Sequence, residues 1–225
     1  MNNFNTEMVR TIQNQSLSSV IYDQLEEMIL SGRIKPGERI NESQLSSILG
    51  ISRAPIREAC RQLERSGMVE VRTNKGTFVR EIDITEIEEL YEIRAALDAL
   101  AGEKAAHVIT EEDSQELKTY VDEMETATIN EDHHHYFKAN LAFHMCIMRI
   151  AGNKNLMTIY DGVCKKASLF RRTSLSLPGR LPESLKQHKT IFEAISSGDP
   201  IKTENLMKRH IMDAKNALLA SCAKS

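Results

Sequence analysis

Residues 132–144 read DHHHYFKANLAFH, four histidines within thirteen residues. Such a tract can bind metal, and it can equally be a solvated stretch; the face each imidazole shares decides which. His133, His134 and His135 would point about 100° apart on a helix, so they cannot converge on one ion. They follow Asn-Glu-Asp at a helix start, which predicts a solvated tract. His144 differs. At helical spacing it shares an arc with Phe137, Leu141, Ile147, Met148 and Ala151, and Asn140 lies one turn before it. His188 is flanked by Leu185, Ile191, Phe192 and Ile195, and His210 lies among Leu206, Ala214 and Ala217. A single histidine on an apolar face is ordinarily a core residue bonded to a neighbour. Three on separate helices, with Asn140 at i−4 from one of them, suit metal ligation, because imidazole nitrogen favours zinc, nickel or similar ions and residues at i and i+4 can share one ion. Arg94 is a further inward polar residue, set among Ile87, Leu90, Leu97 and Ala101. It either pairs with Asp98 at i+4 or offers its guanidinium fork to a ligand carboxylate.

The elements that must position these groups are helices. From Ile84 onward the apolar spacing is helical, interrupted at VITEED, TINED, AGNKN, SLSLPGRLPES and SSGDP. These breaks predict about six helices, the last starting at Pro200, where a missing amide proton costs little. No segment alternates like a strand. An all-α bundle follows, and bundle interiors are where metal and ligand sites are built.

The first eighty residues are organised differently. LSSVIYDQLEEMIL has helical spacing and ends at Ser31-Gly32, after which SGRIKPGERI turns the chain. Asn41 caps a short helix carrying Leu45, Ile48 and Leu49, and Gly50 closes it as a left-handed C-cap. Ser52 caps the next helix, so Gly50-Ile51-Ser52 forms a helix-turn-helix corner. The second helix, RAPIREACRQLERSG, is divided between Ile56, Ala59, Cys60 and Leu63 on one arc and Arg53, Arg57, Arg61 and Arg65 on the other. Two alternating stretches, MVEVR and TFVRE, joined by TNKG, predict a β-hairpin wing. Alone, the arginine face is a solvated face stitched by Glu58 and Glu64. With the corner and the wing, it predicts a helix that enters a major groove, where guanidinium pairs with guanine O6 and N7.

Composition sets the outer limits. The 225 residues carry 29 Lys and Arg against 32 Asp and Glu, a net charge of −3 that argues against indiscriminate nucleic-acid binding. The average conceals an asymmetry: residues 53–80 hold seven basic against three acidic residues, and residues 82–225 hold 18 against 22. Two domains with different partners are expected, 16–81 and 82–225, after a flexible arm at 1–15. No apolar run approaches the roughly 18 residues of a membrane span, the N-terminus has no signal-peptide pattern, and a cytoplasmic protein is expected. Cys60, Cys146, Cys164 and Cys222 show no CxxC pairing, which argues against a zinc ribbon and a disulfide framework.

The run RINESQLSSILGISRAPIREACRQLERSGMVEVRTNKGTFVR resembles the DNA-binding domain of GntR-type bacterial transcription regulators. The resemblance implies that Ser52, Arg53 and Arg57 contact the operator from the recognition helix and that the wing tip, Asn74, Lys75 and Gly76, reaches the neighbouring minor groove. Arg61 is added because it shares the arginine face. The spacing NLAFH, AGN, QH and a histidine 22 residues later resembles the FadR branch of that family, with an all-α effector-binding domain of the FCD type. That resemblance implies a divalent ion, zinc first with nickel or manganese as alternatives, held by Asn140, His144, His188 and His210. Many members have aspartate where this chain has Asn140, and Gln187 replaces a commonly acidic neighbour.

The expected fold is mainly α, a winged helix-turn-helix followed by a bundle. The expected function is a homodimeric transcription regulator, a repressor released from a palindromic double-stranded DNA operator by a small carboxylate effector bound at the metal and Arg94. A direct metal sensor is one alternative and a metal-dependent hydrolase another. The hydrolase lacks support from any HExxH or GxSxG motif.

Overall fold

In the computed structural model, residues 16–30, 32–81 and 83–222 are described; the proposed arm at 1–15 lies outside them. The chain divides into two compact units, Met1–Ile82 and Asp83–Ser225, the first a small helical unit with a three-stranded sheet and the second helical throughout.

In the first unit, α1 (Leu17–Leu30) buries Val20, Ile21, Leu25 and Ile29 against α3. Helix α2 (Glu42–Leu49) begins where Asn41 Oδ1 accepts from the Gln44 amide at 3.1 Å and ends at Gly50 with φ 64°. Its apolar face is only half-covered, Ile48 remaining exposed. Helix α3 (Arg53–Arg65) buries Ile56, Ala59, Cys60 and Leu63; Ser52 occupies its N-cap position without a side-chain capping bond. The wing is the antiparallel hairpin of β2 (Val69–Arg72) and β3 (Gly76–Val79), but the sheet has a third strand, β1 (Arg39–Ile40), in the order β1-β3-β2. Two residues are too few to show alternation in sequence, which is why SGRIKPGERI reads only as a turn. The hairpin turn needs its glycine: Gly76 has φ 106°, and a Cβ there would come within 2.9 Å of Arg39 Nε.

The second unit contains α4 (Ile84–Val108), α5 (Glu111–Ile129), α6 (His133–Ile150), α7 (Lys154–Lys166), α8 (Ser168–Leu175), α9 (Arg180–Ser196) and α10 (Pro200–Cys222). Seven helices among the described residues correct the expected six. The extra break falls at Ala167, where neither glycine nor proline marks it in sequence. Helix α9 also starts earlier than the SLSLPGRLPES break suggests, with Pro182 tolerated in its first turn. Caps fix the other starts: Thr110 and Asp113 form a capping box on α5, and Asp132 accepts from the His135 amide on α6. The core joins Leu117, Val121 and Met124 of α5 to Tyr136, Phe143 and Ile147 of α6, each such side chain contributing roughly 1.5–3 kcal/mol on full burial. Helix α10 lies along α4, approaching so closely that a Cβ on Gly102 would stand 2.8 Å from Met207 Cγ. This packing brings α4, α6, α9 and α10 around one polar spot in an otherwise apolar interior.

Candidate metal centre and nucleic-acid interface

The three inward histidines meet. One ring nitrogen from each of His144, His188 and His210 lies within 4.8 Å of the others, and all three residues are buried. What orients them is a set of acceptors, one for each Nδ1. His144 Nδ1 is 2.8 Å from Asp98 Oδ1 on α4. His188 Nδ1 is 2.7 Å from the Ser184 carbonyl oxygen, one turn earlier on α9. His210 Nδ1 is 2.7 Å from Gln187 Oε1, and the Gln187 amide nitrogen donates to Asp213 Oδ2 at 3.0 Å, which fixes the amide's orientation. Carboxylate and carbonyl oxygens accept, so each Nδ1 carries the proton and each Nε2 is left with a lone pair that can accept. This is the outer support that metal-ligating imidazoles use.

The lone pairs converge. His144 Nε2 and His188 Nε2 are 3.4 Å apart, and the rings of His188 and His210 have centroids 4.4 Å apart. Two acceptor nitrogens facing at that distance repel. Two imidazole nitrogens bound tetrahedrally to one zinc ion at roughly 2.0–2.1 Å stand about 3.4 Å apart. Asn140 is buried on the same spot, its amide nitrogen donating to His188 Nε2 at 3.0 Å while its Oδ1 has no hydrogen-bond partner. Rotating the amide would present that oxygen as a fourth donor atom. Burial holds His144 and His210 well below the ordinary imidazole value and brings His188 to about 4, so all three are neutral near pH 7 and need release no proton to a cation. The residues fit a divalent ion.

Arg94 makes the intrahelical contact considered from sequence, its Nε 3.4 Å from Asp98 Oδ2 with both side chains buried. Asp98 also accepts from Tyr160 Oη at 3.2 Å. Burial pushes its carboxyl upward, with Arg94 and Arg171 pulling it back. Arg94 also lines a small cavity with Tyr91, Asn140, Arg171, Arg180 and His210. The consecutive histidines stand apart from the cluster: His133 Nδ1 lies 3.1 Å from the Leu175 carbonyl oxygen, and exposed His135 pairs with Asp132.

The arginine face of α3 is exposed. Arg53 has no ion pair among the described residues, whereas Arg57 lies 3.4 Å from Glu42 and both Arg61 and Arg65 approach Glu58. Ser52, Asn74 and Lys75 are exposed and Gly76 half-buried. Asn74 takes φ 60° in a turn closed by the Lys75 amide donating to the Arg72 carbonyl at 2.9 Å.

Residues 17–79 match the bacterial regulatory proteins of the gntR family, and residues 89–213 match the FCD domain. The chain is 31% identical to the HTH-type transcriptional regulator YdhC of Bacillus subtilis over 85% of this chain and 84% of that protein. It belongs to the GntR family of bacterial regulatory proteins. The HTH-type transcriptional repressor RspR of Escherichia coli is 25% identical over 91% of this chain and 90% of its own length. A solved structure of E. coli McbR/YncC shares the fold, with TM-score 0.68 and 20% identity, covering 92% of this chain and 99% of that one.

A GntR regulator with an FCD domain is a DNA-binding transcription regulator and not an enzyme, so the hydrolase alternative falls away. Among its described residues no helix is long and apolar enough to cross a membrane. Its site contains residues that sequence reasoning missed. Asp98 was legible only as a partner for Arg94, not as the support of His144. Ser184 acts through its backbone carbonyl, which no side-chain pattern reports. Arg171 precedes SLSLPGRLPES and Arg180 lies inside it, a segment that reads as a loop, so no helical face could be assigned to them.

Proposed function

We propose that this GntR regulator is a homodimeric cytoplasmic repressor that leaves a palindromic operator when a small organic acid binds at a metal ion in the FCD bundle. The observation that carries the reading is the convergence of a ring nitrogen from each of three buried histidines within 4.8 Å, each imidazole with its Nδ1 tied to an acceptor. His144, His188, His210 and Asn140 hold the ion, zinc in the first instance. When bound, the ion supplies a Lewis-acidic positive charge that a carboxylate oxygen can neutralise. Arg94 offers the effector a second contact through its guanidinium. Ser52, Arg53, Arg57 and Arg61 face the operator's major groove, and Asn74, Lys75 and Gly76 approach the adjacent minor groove. Two-fold operators mirror two-fold proteins, and effector binding acts by its difference in affinity between the DNA-competent and released arrangements.

A second reading is direct metal sensing, favoured by one observation: the cavity beside the histidines measures about 10 Å³, room for about one water. One experiment separates the two. An operator selected from random duplexes is titrated with the full-length protein, followed by fluorescence anisotropy, with zinc alone and with zinc plus small carboxylic acids. The proposal expects tight binding with zinc alone and release on adding an acid. Release by zinc alone establishes the metal sensor instead.

A further inference from the structure

The outer face of the wing sheet carries a cation that the turn residues do not account for. Residues opposite one another in a sheet share a face, and neighbours along a strand alternate between faces. Ile40, Val69, Thr77 and Val79 are buried on the inner face. The register sets Arg39 and Glu70 opposite Phe78 and Arg72 opposite Gly76, so these five residues share the outer face. The two arginines among them are held differently. Arg72 is answered: its Nε donates to Glu70 Oε1 at 2.6 Å, and its guanidinium lies over the Phe78 ring at 4.5 Å. Arg39 is exposed and has no ion pair or side-chain hydrogen bond among the described residues.

Although Arg39 is paired with Phe78, its guanidinium lies nearer the turn, against Gly76. A Cβ on Gly76 would stand 2.9 Å from Arg39 Nε, 3.2 Å from Nη2 and 3.4 Å from Cζ. Any side chain at position 76 would displace it. Gly76 therefore does two things: it takes φ 106°, and it seats a cation beside the turn that carries the exposed Asn74 and Lys75.

We infer, on the proposed approach of the wing to DNA, that Arg39 is a further DNA contact: seated on Gly76, it receives a backbone phosphate beside the groove that the wing tip enters. A guanidinium fork matches phosphate geometry and stays charged. Its place on the sheet face, behind the turn and not at its apex, suits the backbone more than a base edge. Phosphate contacts fix register, whereas base contacts carry sequence. The contact comes from β1, a strand two residues long, so the DNA-facing surface includes a segment that precedes the helix-turn-helix in the chain.

The test titrates full-length wild type, R39Q, K75A and R149Q with a selected operator and with an unrelated duplex, by fluorescence anisotropy at several salt concentrations. R39Q should lower the salt slope by about 0.9 for each bound chain. The wild-type advantage should then shrink about three- to fourfold between roughly 50 and 200 mM salt, alike on both duplexes. R149Q, whose arginine is tied to Asp113 and Glu116 in the bundle, should leave the slope unchanged, which separates a contact from a change in net charge. Operators carrying one neutral methylphosphonate at a time locate the partner. One position should weaken wild type and leave R39Q indifferent, and it should differ from the position to which K75A becomes indifferent. Circular dichroism establishes that the variants fold. Wild-type affinity and slope in R39Q overturn the inference, the result expected if Arg39 served an acidic protein partner instead. A loss in R39Q that no single phosphate matches also overturns it. If K75A too leaves the slope unchanged, the wing's approach to DNA fails as well; if K75A lowers it, that approach stands without Arg39.

Discussion

The two units carry their chemistry in opposite ways. On α3 the arginines project into solvent and the helix is held by the other face, Ile56, Ala59, Cys60 and Leu63. In the bundle the histidines, Asn140, Asp98 and Arg94 are themselves interior, and each is held by another polar group. A surface reader can therefore change its specificity without disturbing its fold. A buried sensor cannot, because the groups that would bind the ligand are also groups the fold must keep satisfied. The difference teaches where mutation separates function from stability and where it does not.

Asp98→Ala should break the comparison most visibly. It leaves Arg94, 2% exposed, without its carboxylate, and removing one partner of a buried ion pair costs about 3–5 kcal/mol. Chemical denaturation followed by circular dichroism measures it. A loss under about 1 kcal/mol would place this interior pair among ordinary surface substitutions and erase the contrast. Asp98→Asn sharpens the point, since it retains shape but weakens the support of His144, and lost outer support typically costs 10–100-fold in metal affinity.

Arg53→Ala and Arg57→Ala test the other side. Each should cost on the order of 1–3 kcal/mol in operator binding while stability stays within about 0.5 kcal/mol. Lys75→Ala should weaken binding evenly across sequences and reduce the salt slope by about 1. Unchanged operator affinity in a folded Arg53→Ala protein removes α3 as the reading helix.

How much of this was legible depended on what each feature needs. The helix-turn-helix was legible because Asn41 and Gly50 punctuate it locally. Strand β1 was not, being two residues long, and the break at Ala167 carries no glycine or proline. The inward faces of His144, His188 and His210 followed from helical periodicity alone. Their Nδ1 partners did not, because Asp98 lies 46 residues from His144 and meets it only through packing of α4 on α6. Arg171 and Arg180 were hidden for a different reason: Arg171 stands just ahead of SLSLPGRLPES and Arg180 inside it, a segment that reads as a loop although α9 already begins at Arg180.

A further contrast concerns pH. The unfolded chain's histidines titrate near 6.5, whereas His188 in the native bundle titrates at about 4 and His144 and His210 are also depressed. Between those values the unfolded state binds more protons, so metal-free stability present above pH 6.5 should fall as pH is lowered through this window. Asp98, raised by burial, works the other way, and three imidazoles outweigh one carboxyl. Thermal unfolding of chelator-treated protein at pH 7.5, 6 and 5 should show a progressive loss; a flat or rising profile would mean the imidazoles are not held neutral by the interior.

The central claim is that the interior histidines, and not the consecutive ones that first attract notice, hold one divalent ion. Elemental analysis of zinc-supplemented, dialysed full-length protein tests it directly. Wild type and a variant with His133, His134 and His135 all replaced by alanine should each retain about one zinc per chain, and His188→Ala should retain almost none. Absence of stoichiometric metal from wild type, or its loss from the triple variant, would contradict the account.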